Sequence, residues 1–405
     1  MDERKKQGWE KIRWAQDHMP VLALLEARHE PEKPLLGKRV AMAIHLEAKT
    51  ARLALALKNL GAEVAVTSSN PLSAKDDVAS ALAEEMTVHA RGEATEEQYR
   101  EFLLKVLSIR PHLVLDDGGD LAHLLHTEAW ALGEEALGVC EETTTGVIRL
   151  RQWENEGRLR FPAVAVNDAR MKSLFDNRYG TGQSVWDAIM RATNLLVAGK
   201  TVLVVGYGWC GRGIAQRARG LGAEVVVAEV DPVKAAEALL EGFRVAPVRE
   251  AIKEADLVIT ATGCRDAVTY EDIRQAKEGC LLANAGHFDV EIDVRGLYAQ
   301  ARVRRVREHV EECLLPNGKR VYLLAKGRLV NLVAGDGHPA EIMDLSFSLQ
   351  LLSLLWLAKE GKTLPPRVYP VPPEIDEYVA RAFLESRGVR IDCLTQAQRE
   401  YLGLA

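Results

Sequence analysis

Short apolar runs alternate with amphipathic stretches through the first part of the chain. The amphipathic stretches predict helices over residues 2–28, 50–60, 74–85 and 96–109. The apolar runs are bounded by Gly, Pro or polar clusters and predict strands over residues 39–44, 63–67, 113–115 and 137–140. Alternating strands and helices are typical of parallel strands joined by right-handed crossovers. The pattern therefore predicts a doubly wound α/β unit.

A second alternating series follows a long predicted helix over residues 182–198. Its Val-, Leu- and Ile-rich runs predict strands over residues 201–205, 224–229, 257–260 and 281–283. Glycine-containing segments at 180–182 and 335–337 bound the series and are candidate hinges. The pattern then predicts a long apolar helix to about residue 359, a proline-rich connector and a short helical tail over residues 376–405.

The predicted fold class is therefore α/β, with two doubly wound parallel-sheet domains and a small C-terminal helical tail. The first domain takes residues 1–181 and 338–371, the second takes residues 182–337, and the tail takes residues 372–405.

The composition is typical of a soluble globular protein. The 405 residues are 47% hydrophobic and 27% charged, and the net charge of −6 has no long single-sign block that would indicate nucleic-acid binding. The longest apolar stretch, residues 345–358, falls short of the roughly 20 residues of a membrane span, and the amino terminus has no signal-peptide pattern. Six scattered cysteines form no CxxC pair. We expect a cytoplasmic protein without a membrane partner or a metal site.

A glycine-rich turn in the second series predicts a dinucleotide site. Gly206, Gly208 and Gly211 follow a predicted strand in GxGxxG order and open a predicted helix. The first glycine permits the turn, the second lets a pyrophosphate approach the backbone, and the third lets helix and strand pack closely. Glu229 ends the next strand, where a carboxylate binds the adenosine ribose and repels a 2′-phosphate. The segment therefore predicts binding of NAD rather than NADP.

Polar clusters follow the predicted strands of the first unit, at the edge where open parallel sheets bind ligands. Lys172 and Asp176 stand four residues apart and would share a face of a helix. Each cluster alone also fits a turn, a helix cap, a strand-end histidine or a surface salt bridge. Their joint occurrence beside an NAD unit indicates a catalytic site. The clusters are His45 with Glu47, Lys49 and Thr50, then residues 116–120, 141–145, 167–168 and 172–182.

These residues resemble the S-adenosylhomocysteine hydrolase family, and the resemblance covers nearly the whole chain. The matching segments are LDDGGDL (115–121), EETTTGV (141–147), VNDARMKSLFDNRYG (166–180), GYGWCGRG (206–213), NAGHFDVEID (284–293), GRLVNLVAGDGHP (327–339) and the terminal YLGLA. Several long motifs in the same order are highly specific.

The resemblance implies reversible hydrolysis of S-adenosyl-L-homocysteine to adenosine and homocysteine, with NAD as a resident redox catalyst. Oxidation of the ribose 3′-hydroxyl would acidify the C4′ hydrogen, loss of that proton would expel homocysteine, water would add, and the ketone would be reduced back. The resemblance also implies a cytoplasmic homotetramer, with the tail as an oligomer contact, that works on small molecules in the methyl cycle of one-carbon metabolism.

The resemblance further implies roles for individual residues. Lys172 would assist proton removal from the 3′-hydroxyl, and a pKa lowered by burial or cationic neighbours would suit that role. Asp117 and His45 would be the acid and base at C4′ and C5′. The other implied residues are Glu142, Asp176 and Asn177 at the ribose; Glu47, Lys49, Thr50, His287, His338, Met343 and Phe347 around the substrate; and Thr143, Thr144, Thr145, Asn177, Gly206, Gly208, Cys210, Gly211, Glu229, Thr262, Asn284 and Asn331 at NAD.

One departure from the family concerns the purine edge. Better-known members read HMTVET where this chain reads HLEAKT (45–50), so Glu47 and Lys49 replace Thr and Glu. Lys donates only and suits the O6 of hypoxanthine, whereas Glu47 can accept from the amino group of adenine. S-inosylhomocysteine therefore stays open as an alternative substrate.

Two further departures concern the cofactor and a hinge. The sequence ends at Ala405 without the Lys- and Tyr-containing tail of longer members, so we expect NAD to exchange more easily. Thr181 stands where many members have Cys, so no thiol role at that hinge is carried over. An NAD-dependent dehydrogenase and a catalytically silent NAD-binding regulatory homologue stay open as other functions. The joint presence of Lys172, Asp117, Asp176 and His45 favours the hydrolase.

Overall fold

Two sheets, one in each half of the chain, organise the computed structural model, which describes residues 2–70 and 73–404. The first sheet has the order β15-β6-β5-β4-β1-β2-β3, and the second has the order β12-β13-β14-β11-β10-β7-β8-β9. The strands are β1 (Arg39–Ala43), β2 (Glu63–Thr67), β3 (Thr87–Val88), β4 (Leu113–Asp116), β5 (Gly138–Glu141), β6 (Ala163–Ala165), β7 (Thr201–Val205), β8 (Glu224–Ala228), β9 (Arg244–Val245), β10 (Leu257–Thr260), β11 (Cys280–Asn284), β12 (Arg302–Arg307), β13 (Val310–Leu314), β14 (Arg320–Leu324) and β15 (Val368–Pro370).

Both sheets contain the doubly wound strand order 3-2-1-4-5-6, counted from β1 in the first sheet and from β7 in the second, with β14 as its sixth strand. Ligands bind in such sheets beyond the carboxyl ends of the strands where the order reverses. Those points lie between β1 and β4 and between β7 and β10. The predicted α/β class with two doubly wound sheets is confirmed.

Helices cover both faces of each sheet. Val40 and Met42 of β1 face one apolar core, and Ala41 and Ala43 face the other, as expected for a parallel strand buried on both sides. The helices are α1 (Glu3–Asp17), α2 (Pro20–His29), α3 (Ala48–Asn59), α4 (Asp76–Leu82), α5 (Glu96–Leu107), α6 (Asp120–His126), α7 (Thr144–Asn155), α8 (Arg170–Lys172), α9 (Thr181–Thr193), α10 (Trp209–Gly220), α11 (Pro232–Leu240), α12 (Val248–Ala251), α13 (Tyr270–Ile273), α14 (Val294–Gln300), α15 (Val330–Val333), α16 (Ala340–Glu360), α17 (Pro373–Ser386) and α18 (Gln396–Tyr401), with a π-helical segment at Ser173–Gly180.

The bounds of several helices differ from the predicted ones, and two of these differences have a clear cause in the backbone. The helix expected over residues 2–28 is two helices, because α2 begins at Pro20, which lacks the backbone N–H of a continuous helix but fits a first turn. The helix expected over residues 182–198 begins at Thr181 and ends at Thr193, where Asn194 takes a left-handed φ of 53°.

Seven of the described strands were not predicted, namely β3, β6, β9, β12, β13, β14 and β15. The hairpin of β12 and β13 is antiparallel, so the second sheet is mostly rather than wholly parallel. β12 reads RVRRVR and is exposed along its length, so it carries no apolar run to detect. β15 lies in the predicted proline-rich connector, where it extends the edge of the first sheet beside β6 and tolerates Pro370.

Helix α16 is long and apolar enough to cross a membrane by length and composition, but two-thirds of its apolar window is buried inside the protein. Its leucines and Phe347 belong to the core of the first unit, so α16 is a core helix here. Val379 and Ala382 of α17 enter the same core, whereas residues 387–404 are exposed. The domain boundaries given above remain predictions.

Candidate active site

The loops that carry the predicted site begin where β4 and β5 end side by side. Asp116 and Glu141 are register partners at those ends, so the next residues, Asp117 and Glu142, become neighbours across the sheet edge. Asp116 accepts hydrogen bonds from the backbone N–H groups of Asp117 and Ala122, and Glu141 accepts from Gly118 and Thr143. The strand-end carboxylates therefore fix both loops.

Burial raises the pKa of Asp116 to about 7 and the pKa of Glu141 well above its usual range. Because both pKa values are raised, at least one of these adjacent carboxyls is protonated near neutral pH. Both residues lie within polar clusters of the sequence, but no pattern there gives either of them a role, because the register of the strands does not follow from the sequence alone.

A buried lysine is the centre of the first cluster. Lys172 Nζ donates to Asn177 Oδ1 at 2.8 Å and lies 3.3 Å from Asp176 Oδ1 and 3.6 Å from Glu142 Oε1. The i→i+5 turns of the π-helical segment bring residues four and five positions along the chain to the same lysine. The predicted Lys172–Asp176 contact forms inside the protein and not as a surface salt bridge, since both side chains are buried.

The charges in this cluster are set by mutual contact as well as by burial. Burial lowers the pKa of Lys172, but Asp176 and Glu142 outweigh it and raise that pKa above its usual range. The expectation of a lowered lysine pKa is therefore wrong, because carboxylates rather than cations flank the amine. Burial raises the pKa of Asp176, yet Lys172 and His338 bring it below its usual range. Burial raises the pKa of Glu142 to about 7 against the opposing effect of Lys172.

Asp117 stands between two histidines, one from each unit. His45 Nε2 lies 3.5 Å from Asp117 Oδ2, and His287 Nδ1, in the loop after β11, lies 3.8 Å from Asp117 Oδ1. His45 Nδ1 shares a 2.6 Å hydrogen bond with Ser73 Oγ, which fixes the ring. Burial lowers the pKa of His45 to about 4 despite Asp117, so the ring is neutral at pH 7 and can accept a proton.

The same three side chains also present a set of metal-ligand atoms. The ligand atoms of His45, Asp117 and His287 lie within 4.8 Å of one another. Two histidines and a carboxylate suit a transition metal. The expectation that the protein has no resident metal stays a prediction.

His338 directly follows the second candidate hinge and contacts the first. Its Nδ1 lies 3.1 Å from Asp176 Oδ1, and its Nε2 is 3.3 Å from Thr181 Oγ1, which donates to Cys210 Sγ at 3.5 Å. Cys210 belongs to the first turn of α10. Gly180 lies inside a helical segment, where a Cβ would come within 2.8 Å of His338 Nδ1. This glycine is needed for close packing of the two hinge segments.

Glu47 and Lys49, the residues predicted at the purine edge, form an ion pair. Lys49 Nζ lies 2.8 Å from Glu47 Oε2 and donates to the backbone oxygen of Asp336 at 2.9 Å. Thr50 Oγ1 donates to the backbone oxygen of His45 at 2.6 Å. A groove of about 940 Å³ between the two units is lined in part by Glu47, Lys49 and His338.

The predicted dinucleotide turn has the geometry that its three glycines require. Gly206 has a φ of +97°, and a Cβ on Gly211 would lie 1.9 Å from the Gly206 oxygen. A Cβ on Gly208 would meet no atom within 4 Å, so the space beside its backbone is open for a phosphate group. Glu229 follows β8 and accepts from the backbone N–H groups of Tyr207, Val230 and Asp231. These bonds lower the pKa of Glu229 against burial and keep it ionised.

Other residues predicted at the cofactor fall into two groups. Thr262 and Asn284 hold loops: Thr262 donates to the buried Glu291, and the Asn284 amide bonds the backbone oxygens of Gly286, Phe288 and Gly327. Asn331 donates to Ser184, but its buried Oδ1 has no hydrogen-bond partner within the described part of the chain. That oxygen can accept from an amide donor such as a carboxamide.

The three threonines open α7 directly after Glu142. Thr143 caps the helix by accepting from Gly146 N–H, and Thr144 Oγ1 accepts from Asn167. Thr145 follows in the first turn. The helix-cap interpretation is therefore correct for Thr143, and a contact of the three side chains with NAD stays a prediction.

Helix α16 supplies the remaining site residues, two of which the sequence did not reveal. Phe347 is fully buried and Met343 is half-buried against the same core, as a hydrophobic wall requires. Ser346 donates to Asp176 and Gln350 donates to Glu142. Their spacing of four residues within a leucine-rich helix was the available signal.

Two family models together match most of the chain. The family model described as "S-adenosyl-L-homocysteine hydrolase" matches residues 3–134, and the family model described as "S-adenosyl-L-homocysteine hydrolase, NAD binding domain" matches residues 177–337. An adenosylhomocysteinase from Thermotoga maritima is 58% identical over 98% of each chain. An S-inosyl-L-homocysteine hydrolase from Methanopyrus kandleri is 57% identical over 98% of this chain and 94% of its own length.

Among solved structures, a dipicolinate synthase component from Bacillus halodurans is similar, with a TM-score of 0.50 and 15% identity over 80% of this chain and 100% of that one. At this identity the similarity shows the fold alone. The predicted NAD-binding unit is confirmed by the family model over residues 177–337.

Proposed function

Because the chain belongs to the S-adenosyl-L-homocysteine hydrolase family, we propose that it cleaves the thioether of S-adenosyl-L-homocysteine to give adenosine and homocysteine. The observation that carries the proposal is Lys172, a buried ammonium between Glu142 and Asp176 at the sheet edge where ligands bind. A charged donor flanked by two acceptors matches a pair of ribose hydroxyls, which both donate and accept.

Bound NAD supplies a reversible oxidation of the ribose 3′-carbinol, and the resulting ketone acidifies the hydrogen on C4′. The open space beside the Gly208 backbone can hold the pyrophosphate, and the ionised Glu229 can bind the adenosine ribose. The buried Asn331 Oδ1, which has no hydrogen-bond partner among the described residues, can accept from the nicotinamide carboxamide. These three features support NAD as the resident group.

At the 3′-oxygen, the lysine cluster must donate a hydrogen bond and accept a proton. Lys172 is held as an ammonium, so it is the donor that orients the oxygen and stabilises negative charge there. Glu142, with its pKa near 7, is the member of the cluster whose proton affinity suits general-base work at neutral pH. Proton removal is therefore a property of the Lys172–Glu142 pair rather than of the lysine alone.

At C4′ and C5′, Asp117 and His45 move the second proton. A neutral His45 fixed by Ser73 can accept a proton, and Asp117, 3.5 Å away, stabilises the imidazolium that forms. His287 closes the other side of Asp117 from the second unit, which helps to exclude water before homocysteine leaves.

A second candidate substrate, S-inosyl-L-homocysteine, is supported by the similarity to the S-inosyl-L-homocysteine hydrolase of Methanopyrus kandleri and is compatible with the Glu47–Lys49 ion pair. Adenine offers an amino donor beside an acceptor nitrogen, and hypoxanthine offers an acceptor O6 beside an N–H donor. A carboxylate beside an ammonium can match either edge, depending on which group faces position 6. Among the described residues, Glu47 Oε1 has no hydrogen-bond partner, which supports the adenine arrangement because it can accept the amino group.

One experiment tests the reaction and the choice of base. Purified protein is incubated with homocysteine and either adenosine or inosine, and thioether formation is measured with absorbance at the nicotinamide band. We expect thioether without net accumulation of NADH, and a higher kcat/KM with adenosine. Accumulating NADH would indicate a dehydrogenase, and absence of turnover with both nucleosides would indicate a silent homologue. A large preference for inosine would make S-inosylhomocysteine the substrate.

We also propose that the enzyme is a cytoplasmic homotetramer of the methyl cycle. The product of methyl transfer from S-adenosylmethionine is the proposed substrate, which supports a place after such transfers. Exposed apolar side chains in residues 387–404 support an oligomer.

A further inference from the structure

The core helix α16 carries polar side chains that packing alone does not explain. Burying a polar group is costly unless it is hydrogen-bonded. The burial of Asp344 is explained by its hydrogen bonds, because it accepts from the backbone N–H groups of Val21 and Leu22 at the start of α2. The other fully buried polar residues of the helix are Ser346, Ser348, Gln350 and Ser353.

Two of these residues contact the carboxylates of the lysine cluster. Ser346 Oγ donates to Asp176 Oδ2 at 2.6 Å, and Gln350 Nε2 donates to Glu142 Oε2. Ser346 and Gln350 are four residues apart and therefore share one face of the helix.

Each carboxylate has one oxygen on the lysine side and the other on α16. Asp176 gives Oδ1 to Lys172 and His338 and Oδ2 to Ser346. Glu142 gives Oε1 to Lys172 and Oε2 to Gln350. The hydrogen bonds from α16 therefore fix the orientation of both carboxylates, and with it the direction of the oxygens that face Lys172. That helix begins at Ala340, two residues after His338.

We propose that Ser346 and Gln350 are positioning residues of the reaction, which hold Asp176 and Glu142 so that each presents one oxygen to Lys172 and the ribose hydroxyls. The inference rests on the proposed function. Ser346 and Gln350 contact the carboxylates of the lysine cluster, so each acts through its carboxylate.

A donor to a carboxylate stabilises the ionised form, so its loss raises the pKa of that carboxylate. The charged or titratable groups that face Glu142 and Asp176 are Lys172, His338, Asp117 and Cys210, and none of them is removed with Gln350. If Glu142 must be ionised for turnover, activity falls as the pH drops through its pKa. Loss of Gln350 then moves this acid limb to higher pH.

The test compares pH profiles of kcat and KM for Ser346→Ala, Ser346→Thr, Gln350→Met and Ser348→Ala. Ser348 is the matched control, because it is an equally buried serine on the same helix whose hydroxyl has no partner in the part of the chain described. We expect Gln350→Met to lower kcat about 10- to 100-fold and to move the acid limb up by about one pH unit. Ser346→Ala should lower kcat similarly, Ser346→Thr should restore most of it, and Ser348→Ala should follow the wild type.

Unchanged acid limbs, with losses in Ser346→Ala and Gln350→Met no larger than in Ser348→Ala, would overturn the inference. Should Gln350→Met fail to fold, the Ser346→Ala and Ser346→Thr pair decides the question. Turnover by the wild type supports the proposed function whatever the variants do. Absence of wild-type turnover would contradict both the proposed function and the positioning role.

Discussion

At the scale of single residues, the protonation of the site depends on partners that come from different strands. Lys172 and Asp176 are near in sequence, and their contact could be predicted from spacing. Glu142 directly follows β5 and reaches the same lysine from a different part of the chain. Its carboxylate helps to raise the pKa of Lys172, which we expected to be lowered. A local pattern identified the cluster, but its charge state needed the register of the sheet.

Replacing Lys172 by Met should remove activity without removing the pocket. The variant loses the donor to the 3′-oxygen, so we expect kcat/KM to fall by about 10²- to 10⁴-fold. It also leaves Glu142 and Asp176 buried without their cation, so the pKa of both carboxyls should rise. Thioether formation from adenosine and homocysteine measures the loss.

The matched control is Lys58→Met, which breaks the exposed ion pair of Lys58 with Glu85. Exposed pairs contribute little, so this variant should stay within about twofold of the wild type. Retention of more than a tenth of the activity by Lys172→Met would contradict the assigned role.

At the scale of elements, strand ends and the glycine turn could be predicted, whereas the π-helical segment could not. Alternating patterns located β1, β4, β5 and β7 within a few residues, and the predicted polar clusters follow these strands. The segment Ser173–Gly180 has no sequence pattern that distinguishes i→i+5 from i→i+4 turns. Its geometry depends on packing against α10 and α16, which lie far along the chain.

Gly213→Ala should separate the π-helical segment from α10. A Cβ at this position would lie 1.8 Å from the backbone oxygen of Arg178, so one of the two helices must shift. Overpacking of this kind costs about 1–3 kcal/mol, and the shift moves Lys172 relative to the NAD turn. We expect a lower melting temperature and reduced NAD content, measured by thermal unfolding and by absorbance of the extracted nucleotide.

Gly220→Ala in the same helix is the control, because a Cβ there would meet no atom within 4 Å. This change should be neutral or slightly stabilising, since alanine favours helix more than glycine does. Equal melting temperatures for Gly213→Ala and Gly220→Ala would show that the close approach of the helices is not required.

At the scale of the whole molecule, the sequence predicts two units but not how they meet. The contacts of Asp117 with His287 and of Lys49 with the Asp336 oxygen join residues 170 and 287 positions apart. No periodicity relates such positions, and only the resemblance to a family suggested that they share a cleft. The site is therefore a property of the arrangement of both units, although each unit could be recognised by itself.

The exposed end of the chain leads to a prediction about assembly. Ile391, Leu394, Tyr401 and Leu402 are exposed, and α18 contributes no buried residue in a single copy of the chain. An apolar surface of this kind is typical of a protein–protein contact. Replacing Ile391, Leu394 and Leu402 by Ser should therefore reduce the particle mass in solution, measured by size-exclusion chromatography with light scattering.

The control replaces the polar Gln396 and Arg399 of the same segment by Ser, which should leave the mass unchanged. If the apolar triple variant keeps the wild-type mass, this segment is not an oligomer contact, and the proposed tetramer must form through another surface.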